Sequence, residues 1–79
     1  MEWIDGLAAA LGVDNLTAEE ISRLLAASRR VAHEVERMIT PLAAYLVGVA
    51  AGFRMSEGAD QATALSEMLA TLEERLPGE

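Results

Sequence analysis

The chain has 79 residues, no cysteine and a formal net charge of −7, and 52% of its residues are hydrophobic. This length predicts one domain spanning residues 1–79, and the apolar content excludes the disordered class. The absence of cysteine excludes disulfides, a thiolate nucleophile and Cys-ligated zinc. The acidic charge argues against general nucleic-acid binding, because a phosphate backbone repels such a surface.

The N-terminus and the apolar segments predict where the protein acts. Met1 is followed by Glu2 and Asp5 rather than by the basic start of a secretory signal. The apolar segment Pro41–Phe53 is shorter than the roughly 20 residues that a membrane span needs. We therefore expect a cytoplasmic protein that makes no use of a membrane.

The first two helices have clear end signals. Helix one is predicted over Glu2–Leu11, with Gly12 at a position that favours a left-handed C-terminal cap. Thr17 and Glu20 form a capping box that starts helix two, which we expect to run to about Thr40. Pro41 either starts a fresh helix or kinks one long helix. A tight break or strong kink is favoured, because a straight rod would expose too much apolar surface.

Helix three, at about residues 41–53, is apolar on all sides and is predicted to be buried. One side carries large residues at helical spacing, which are Leu42, Tyr45, Leu46, Val49 and Phe53. The opposite side carries small residues, which are Ala43, Ala44, Gly48, Ala51 and Gly52. We expect the other helices to pack around this segment.

Helix four is predicted from about Ser56 or Asp60 to Leu76. Its apolar stripe is Ala62, Leu65, Leu69, Leu72 and Leu76. The fold class is therefore all-α, a small four-helix bundle with a central apolar helix at about 41–53. The chain offers more apolar surface than one protomer covers easily, so we also expect a homo-oligomer, with a dimer as the simplest form.

Catalytic and metal chemistry find little support in the residue pattern. His33 is the only histidine, and Glu36 is the one acidic neighbour at a spacing that could share a metal, which makes a weak site. The carboxylates fall on predicted helix exteriors, whereas general acid–base catalysis needs one withdrawn from water. We expect no enzyme activity, no cofactor and no metal.

Two features of the pattern suggest packing or binding. Gly48 and Gly52 have the G-x-x-x-G spacing that lets two helices approach closely. Close packing within the chain is the favoured interpretation, and a dimer seam is the alternative.

Basic residues concentrate on helix two, where Arg23, Arg30 and Arg37 recur every seven residues with Arg29 and His33 beside them. The favoured interpretation is local ion pairing, Glu19 with Arg23 and Arg30 with Glu34. The alternative is a surface for an anionic partner, either an acidic protein or a phosphate.

Two stretches, WIDGLAAALGV and VAHEVERMITPLAAYLVGVAAG, carry a family resemblance. From Trp3 to about Leu76 the chain resembles a small actinobacterial helical domain of unknown function, most specifically at Val31–His33, Glu36–Arg37 and Pro41–Ala43. That domain occurs alone or joined to the C-terminal side of molybdenum cofactor guanylyltransferase-like proteins. The resemblance implies an accessory role near molybdopterin nucleotide chemistry.

The sequence thus predicts a non-catalytic accessory domain that interacts with a protein partner or with itself. The alternative function is a helical bundle that binds a small ligand or an anion, such as the phosphate of a nucleotide or pterin, through the arginines of helix two.

Overall fold

The computed structural model of the protein describes residues 2–78, and these residues form four α-helices and no strand. The elements in chain order are α1 (Glu2–Leu11), α2 (Ala18–Glu34), a 3₁₀ turn (Arg37–Ile39), α3 (Thr40–Ser56) and α4 (Gln61–Arg75). The predicted all-α, four-helix architecture is confirmed.

Helix α1 ends at the predicted glycine cap. Gly12 has a φ of +75°, a left-handed conformation that L side chains rarely adopt. Its amide donates to the carbonyl of Ala9 at 3.1 Å, and the amide of Val13 donates to that of Ala8 at 3.0 Å. These two bonds form a Schellman motif, which satisfies carbonyls that the helix end would otherwise leave unpaired.

The capping box that begins α2 is also confirmed. The Glu20 amide donates to the Thr17 hydroxyl at 3.1 Å, and the Thr17 amide donates to the Glu20 carboxylate at 2.9 Å. The box therefore satisfies two backbone donors at the helix start.

The end of α2 differs from the prediction. The helix stops at Glu34 rather than near Thr40, and Glu36 is fully extended with φ −168° and ψ 138°. Pro41 lies in the first turn of α3, where its missing N–H costs nothing, whereas within a continuous helix its ring would clash with the preceding turn. The predicted break is thus confirmed, and it lies several residues before the proline.

Helix α4 begins at the second of the two predicted starts. The Asp60 carboxylate accepts a hydrogen bond from the Thr63 amide at 2.8 Å and so caps the helix. This backbone hydrogen bond, with a further one from the Thr63 side chain, lowers the pKa of Asp60. The Gln61 side chain exchanges two hydrogen bonds of 2.9 Å with the backbone of Asp14. This exchange ties the linker between α1 and α2 to the start of α4.

The core lies where α2, α3 and α4 meet, and its side chains are mostly small. Leu69 of α4 is the largest fully buried side chain, at 1% exposed. The other buried apolar residues of these three helices are Ala27, Val31, Ala51 and Ala64. A cavity of only about 20 Å³ remains between the three helices, which shows that they approach closely.

Helix α3 packs against both α2 and α4, but with only one of its sides. Val47 and Ala51 face the core, while the large residues face outward, with Tyr45 70% and Phe53 68% exposed. The expectation that all sides of α3 are buried is therefore wrong. Small side chains such as Ala43 and Ala51 let the neighbouring helices come closer than Leu or Phe would, so this part of α3 packs inward.

Helix α1 has no close backbone contact with the other helices, although its Ala8 is buried. No Cα atom of α1 lies within 8 Å of a Cα atom of another described helix, so the expectation that α1 packs around α3 is also wrong. Its apolar stripe of Trp3, Leu7 and Leu11 is exposed.

Candidate protein-interaction surface

Arg23 is committed to an ion pair within the chain. Its guanidinium donates to both carboxylate oxygens of Glu73, at 3.1 and 3.0 Å, and also to the side chain and carbonyl of Ser66. The hydrogen bonds lower the pKa of Glu73 and raise the pKa of Arg23. The predicted local pair with Glu19 is therefore replaced by a bidentate contact that joins α2 to α4.

Arg30 forms the local pair that the sequence predicts. Its guanidinium donates to the Glu34 carboxylate at 2.8 and 3.2 Å. Glu34 also accepts a hydrogen bond from the amide of Gly78 at 2.9 Å. The bond from Arg30, followed by that from Gly78, lowers the pKa of Glu34.

The predicted column of arginines is not assembled on one helix. Arg37 lies in the 3₁₀ turn, because α2 ends three residues before it. Arg29 and His33 are exposed on α2 and line an open hollow of about 610 Å³ together with Arg30, Glu34 and Gly78. Within residues 2–78, no three His, Cys, Asp or Glu side chains are placed to hold a metal ion.

Gly48 and Gly52 lie on the outward side of α3. A Cβ atom built on either glycine would meet nothing within 4 Å. Close packing within the chain is therefore wrong, because α4 approaches α3 from the opposite side. The dimer seam that the same spacing suggested stays a prediction.

The outward side of α3 forms a continuous apolar surface, which we call the α3 face. It consists of Met38, Leu42, Tyr45, Leu46, Val49 and Phe53, together with the two exposed glycines. No charged residue occurs between Met38 and Phe53. The periodicity identified five of these six large side chains as one face, and only its outward orientation differs from expectation.

An apolar hollow beside the α3 face was not predicted from the sequence. It measures about 300 Å³ and lies between α3 and α4, lined mainly by Leu46, Val47, Met68 and Leu72, with Arg75 at its edge. The one residue that could have indicated this hollow from the sequence is Met68, which lies just outside the apolar stripe of α4.

One segment meets the length and composition of a membrane span. The 3₁₀ turn and α3 together form Arg37–Ser56, 20 residues of sufficient apolar character. Length and composition alone are weak evidence for a membrane span, so this property by itself does not place the chain in a membrane. The expectation that the apolar segment is too short to span a bilayer does not hold for this longer helical segment.

These observations define a small all-α domain with a small-residue core and large apolar side chains on its surface. A family comparison places it further: residues 1–79 match the model of a domain of unknown function (DUF6457) over their whole length, and the chain belongs to this family. No curated protein and no solved structure matches the chain.

Proposed function

We propose that the domain is a non-catalytic protein-interaction module that docks proteins through its exposed apolar surface. The observation that carries the proposal is the exposure of its large apolar side chains, above all the three aromatic ones. At roughly 200 Å² per aromatic side chain, exposures of 76% for Trp3, 70% for Tyr45 and 68% for Phe53 leave roughly 400 Å² open to water. A monomeric soluble protein rarely exposes large apolar patches without a partner for them.

The surface has the composition of a docking site. Tyr, Trp and Phe are enriched where protein interfaces are tightest, and charged residues are depleted there. The α3 face combines two aromatic rings with aliphatic side chains and carries no charge. An amphipathic helix laid along α3 is the mode of recognition that suits such a surface.

The pattern of pKa changes supports a non-catalytic role. The pKa of Glu34 and Glu73 falls because of ion pairs with arginine, and that of Asp60 falls because it caps a helix. Active sites instead tend to raise the pKa of a carboxyl by burial, so that it can transfer a proton near neutral pH. Each resolved change of a carboxyl here belongs to a contact that stabilises the fold.

The resemblance at Val31–His33, Glu36–Arg37 and Pro41–Ala43 supports a particular setting. We infer a cytoplasmic accessory role in molybdenum cofactor maturation, with a molybdenum cofactor guanylyltransferase-like protein as the partner. The experiment is calorimetric titration of that protein, purified from the same host, with the full chain.

Two surface variants and one control test the proposal. The first variant alters α1 by Trp3→Ser with Leu11→Ser, and the second alters the α3 face by Tyr45→Asp with Phe53→Asp. The control is Leu25→Asp on α2, because Leu25 is also exposed. We expect at least one surface variant to weaken binding more than tenfold, with the control unchanged and helix content preserved by circular dichroism. Binding that survives both variants would refute the proposal, and so would the absence of binding by the wild type.

A second candidate function is anion binding at the hollow around Arg29, Arg30 and His33. The position of these three exposed side chains at one open hollow favours it. The pairing of Arg30 with Glu34 weakens it, because the carboxylate offsets charge that an anion would need. A rise in melting temperature with GTP in the wild type, and its loss in Arg29→Gln, would favour this candidate. His33→Gln should fold as the wild type does.

A further inference from the structure

We propose that a second copy of the chain covers the α3 face, with the two α3 helices packed antiparallel about a two-fold axis. This inference rests on the proposed function of the same surface, and it names the occupant. It makes the domain a symmetric dimer with the α1 stripes outside the seam.

The area of the α3 face is sufficient for a stable dimer. Its six large side chains are between 38% and 70% exposed. At roughly 200 Å² for an aromatic side chain and somewhat less for an aliphatic one, these fractions amount to on the order of 600–700 Å² per copy. A standard interface buries about 800 Å² on each partner, and a helix that lies along the face also covers backbone and small residues.

Charge favours contact between copies at this face over contact elsewhere. Each chain has a formal net charge of −7, so two copies repel each other over most of their surfaces. The stretch from Met38 to Phe53 carries no charge. Desolvating this face on both copies therefore removes no charged group from water.

The charges at the two ends of α3 select the antiparallel orientation. Glu36 and Arg37 precede the helix, while Arg54 and Glu57 lie at its end. Antiparallel packing brings one copy's start to the other copy's end, which sets Arg37 near Glu57. Parallel packing about a two-fold axis would bring identical charges together instead.

Arg37 is available for such a contact. It makes no ion pair with another residue in the range 2–78. Glu57 makes only a loose contact with Arg54, at 3.9 Å, whereas Arg54 holds Glu67 at 2.9 Å. An Arg37–Glu57 pair between copies would therefore use two side chains that the protomer leaves largely uncommitted.

The exposed glycines fit the same arrangement. Gly48 and Gly52 lie on the α3 face with open space in front of them, so the backbone of a partner helix can come close. Helix pairs with glycines at this spacing pack at short distances and gain dispersion contacts.

Charge reversal tests both the dimer and its orientation. Sedimentation velocity of the full chain at high micromolar concentration should give twice the protomer mass of 8.4 kDa. Arg37→Glu and Glu57→Arg should each weaken the dimer by about tenfold, because each reversed pair occurs twice across the two-fold axis. The double variant should restore wild-type affinity, since it rebuilds both pairs with opposite sign.

Further variants separate the alternatives. Tyr45→Asp should give a folded monomer and Leu25→Asp should remain dimeric. A monomeric wild type, or a double variant no tighter than the single ones, would overturn the inference. A monomer that still binds the guanylyltransferase-like protein through the α3 face would overturn the dimer and leave the proposed function standing. A monomer that binds phosphatidylcholine vesicles, and loses this on Tyr45→Asp, would assign the face to lipid instead.

Discussion

Single side chains connect parts of this chain that are far apart in the sequence. Arg23 and Glu73 are separated by 50 positions, yet they form a two-point contact between α2 and α4. An arginine fork and a carboxylate match in geometry, so such a pair fixes the relative rotation of two helices as well as adding attraction. The pair is about one-third exposed, which limits its strength through screening by water.

The Glu73 carboxyl links the stability of the fold to pH. Its pKa in the folded chain lies below its ordinary value of 4.5, so its contribution is complete above that value and is lost as the pH falls through the folded pKa. We expect the free energy of unfolding to fall as the pH drops below about 4.5, and to fall less in Glu73→Gln. Urea denaturation at several pH values measures both.

The acidic side chains Asp60 and Glu34 contribute to the same decline, because the pKa of each is also lowered in the folded chain. Glu73→Gln should therefore reduce the loss on acidification without abolishing it. An identical loss in wild type and variant would show that the Arg23–Glu73 contact does not couple to folding.

At the scale of the element, the sequence predicts most helix starts and ends correctly, but it does not predict how the helices contact one another. The Thr17 capping box, the glycine after α1 and the break before Pro41 each depend on a few neighbouring residues, so their chemistry is visible in the sequence. The end of α2 at Glu34 was missed, because no glycine or proline marks that position.

The orientation of α3 could not be predicted for a different reason. Its large residues and its small residues are both apolar, so hydrophobicity alone does not choose which side is buried. The distance between the packed helices decides which side is buried, because close approach of α4 requires alanines between the helices. The members of the α3 face were thus predictable from their periodicity, while its exposure was not.

The open space around Gly48 leads to a prediction about α3. Alanine fits there without contact and loses less backbone freedom on folding, so Gly48→Ala should raise the free energy of unfolding by about 0.5–1 kcal/mol. Chemical denaturation at a dilution where the chain is monomeric measures this effect. Gly12→Ala is the matched control, and it should instead destabilise by about 1 kcal/mol because φ there is +75°. Destabilisation by Gly48→Ala under these conditions would contradict the exposed position of Gly48.

The molecule as a whole depends on very few buried side chains. Leu69 is the one large residue that is fully buried within the described part of the chain, and a 79-residue domain has little stability in reserve. Leu69→Ala should cost about 2–5 kcal/mol, through lost contacts and the cavity left behind. That is enough to unfold a large fraction of the protein at physiological temperature.

Thermal denaturation followed by circular dichroism measures the loss. Leu25→Ala removes the same atoms from an exposed position on α2, where Leu25 is 53% exposed. It should lower the midpoint far less than Leu69→Ala does. Equal effects of the two substitutions would mean that the core described here does not control unfolding.

The inverted arrangement of large and small residues has a calorimetric consequence. The heat-capacity increase on unfolding is proportional to the apolar surface that becomes exposed to solvent. Much of that surface is already exposed in a single folded protomer. The protomer should therefore unfold with a small heat-capacity increase for its length and have a broad, flat stability curve. Association through the α3 face, in contrast, should have a negative heat-capacity change, because the aromatic and aliphatic side chains leave water.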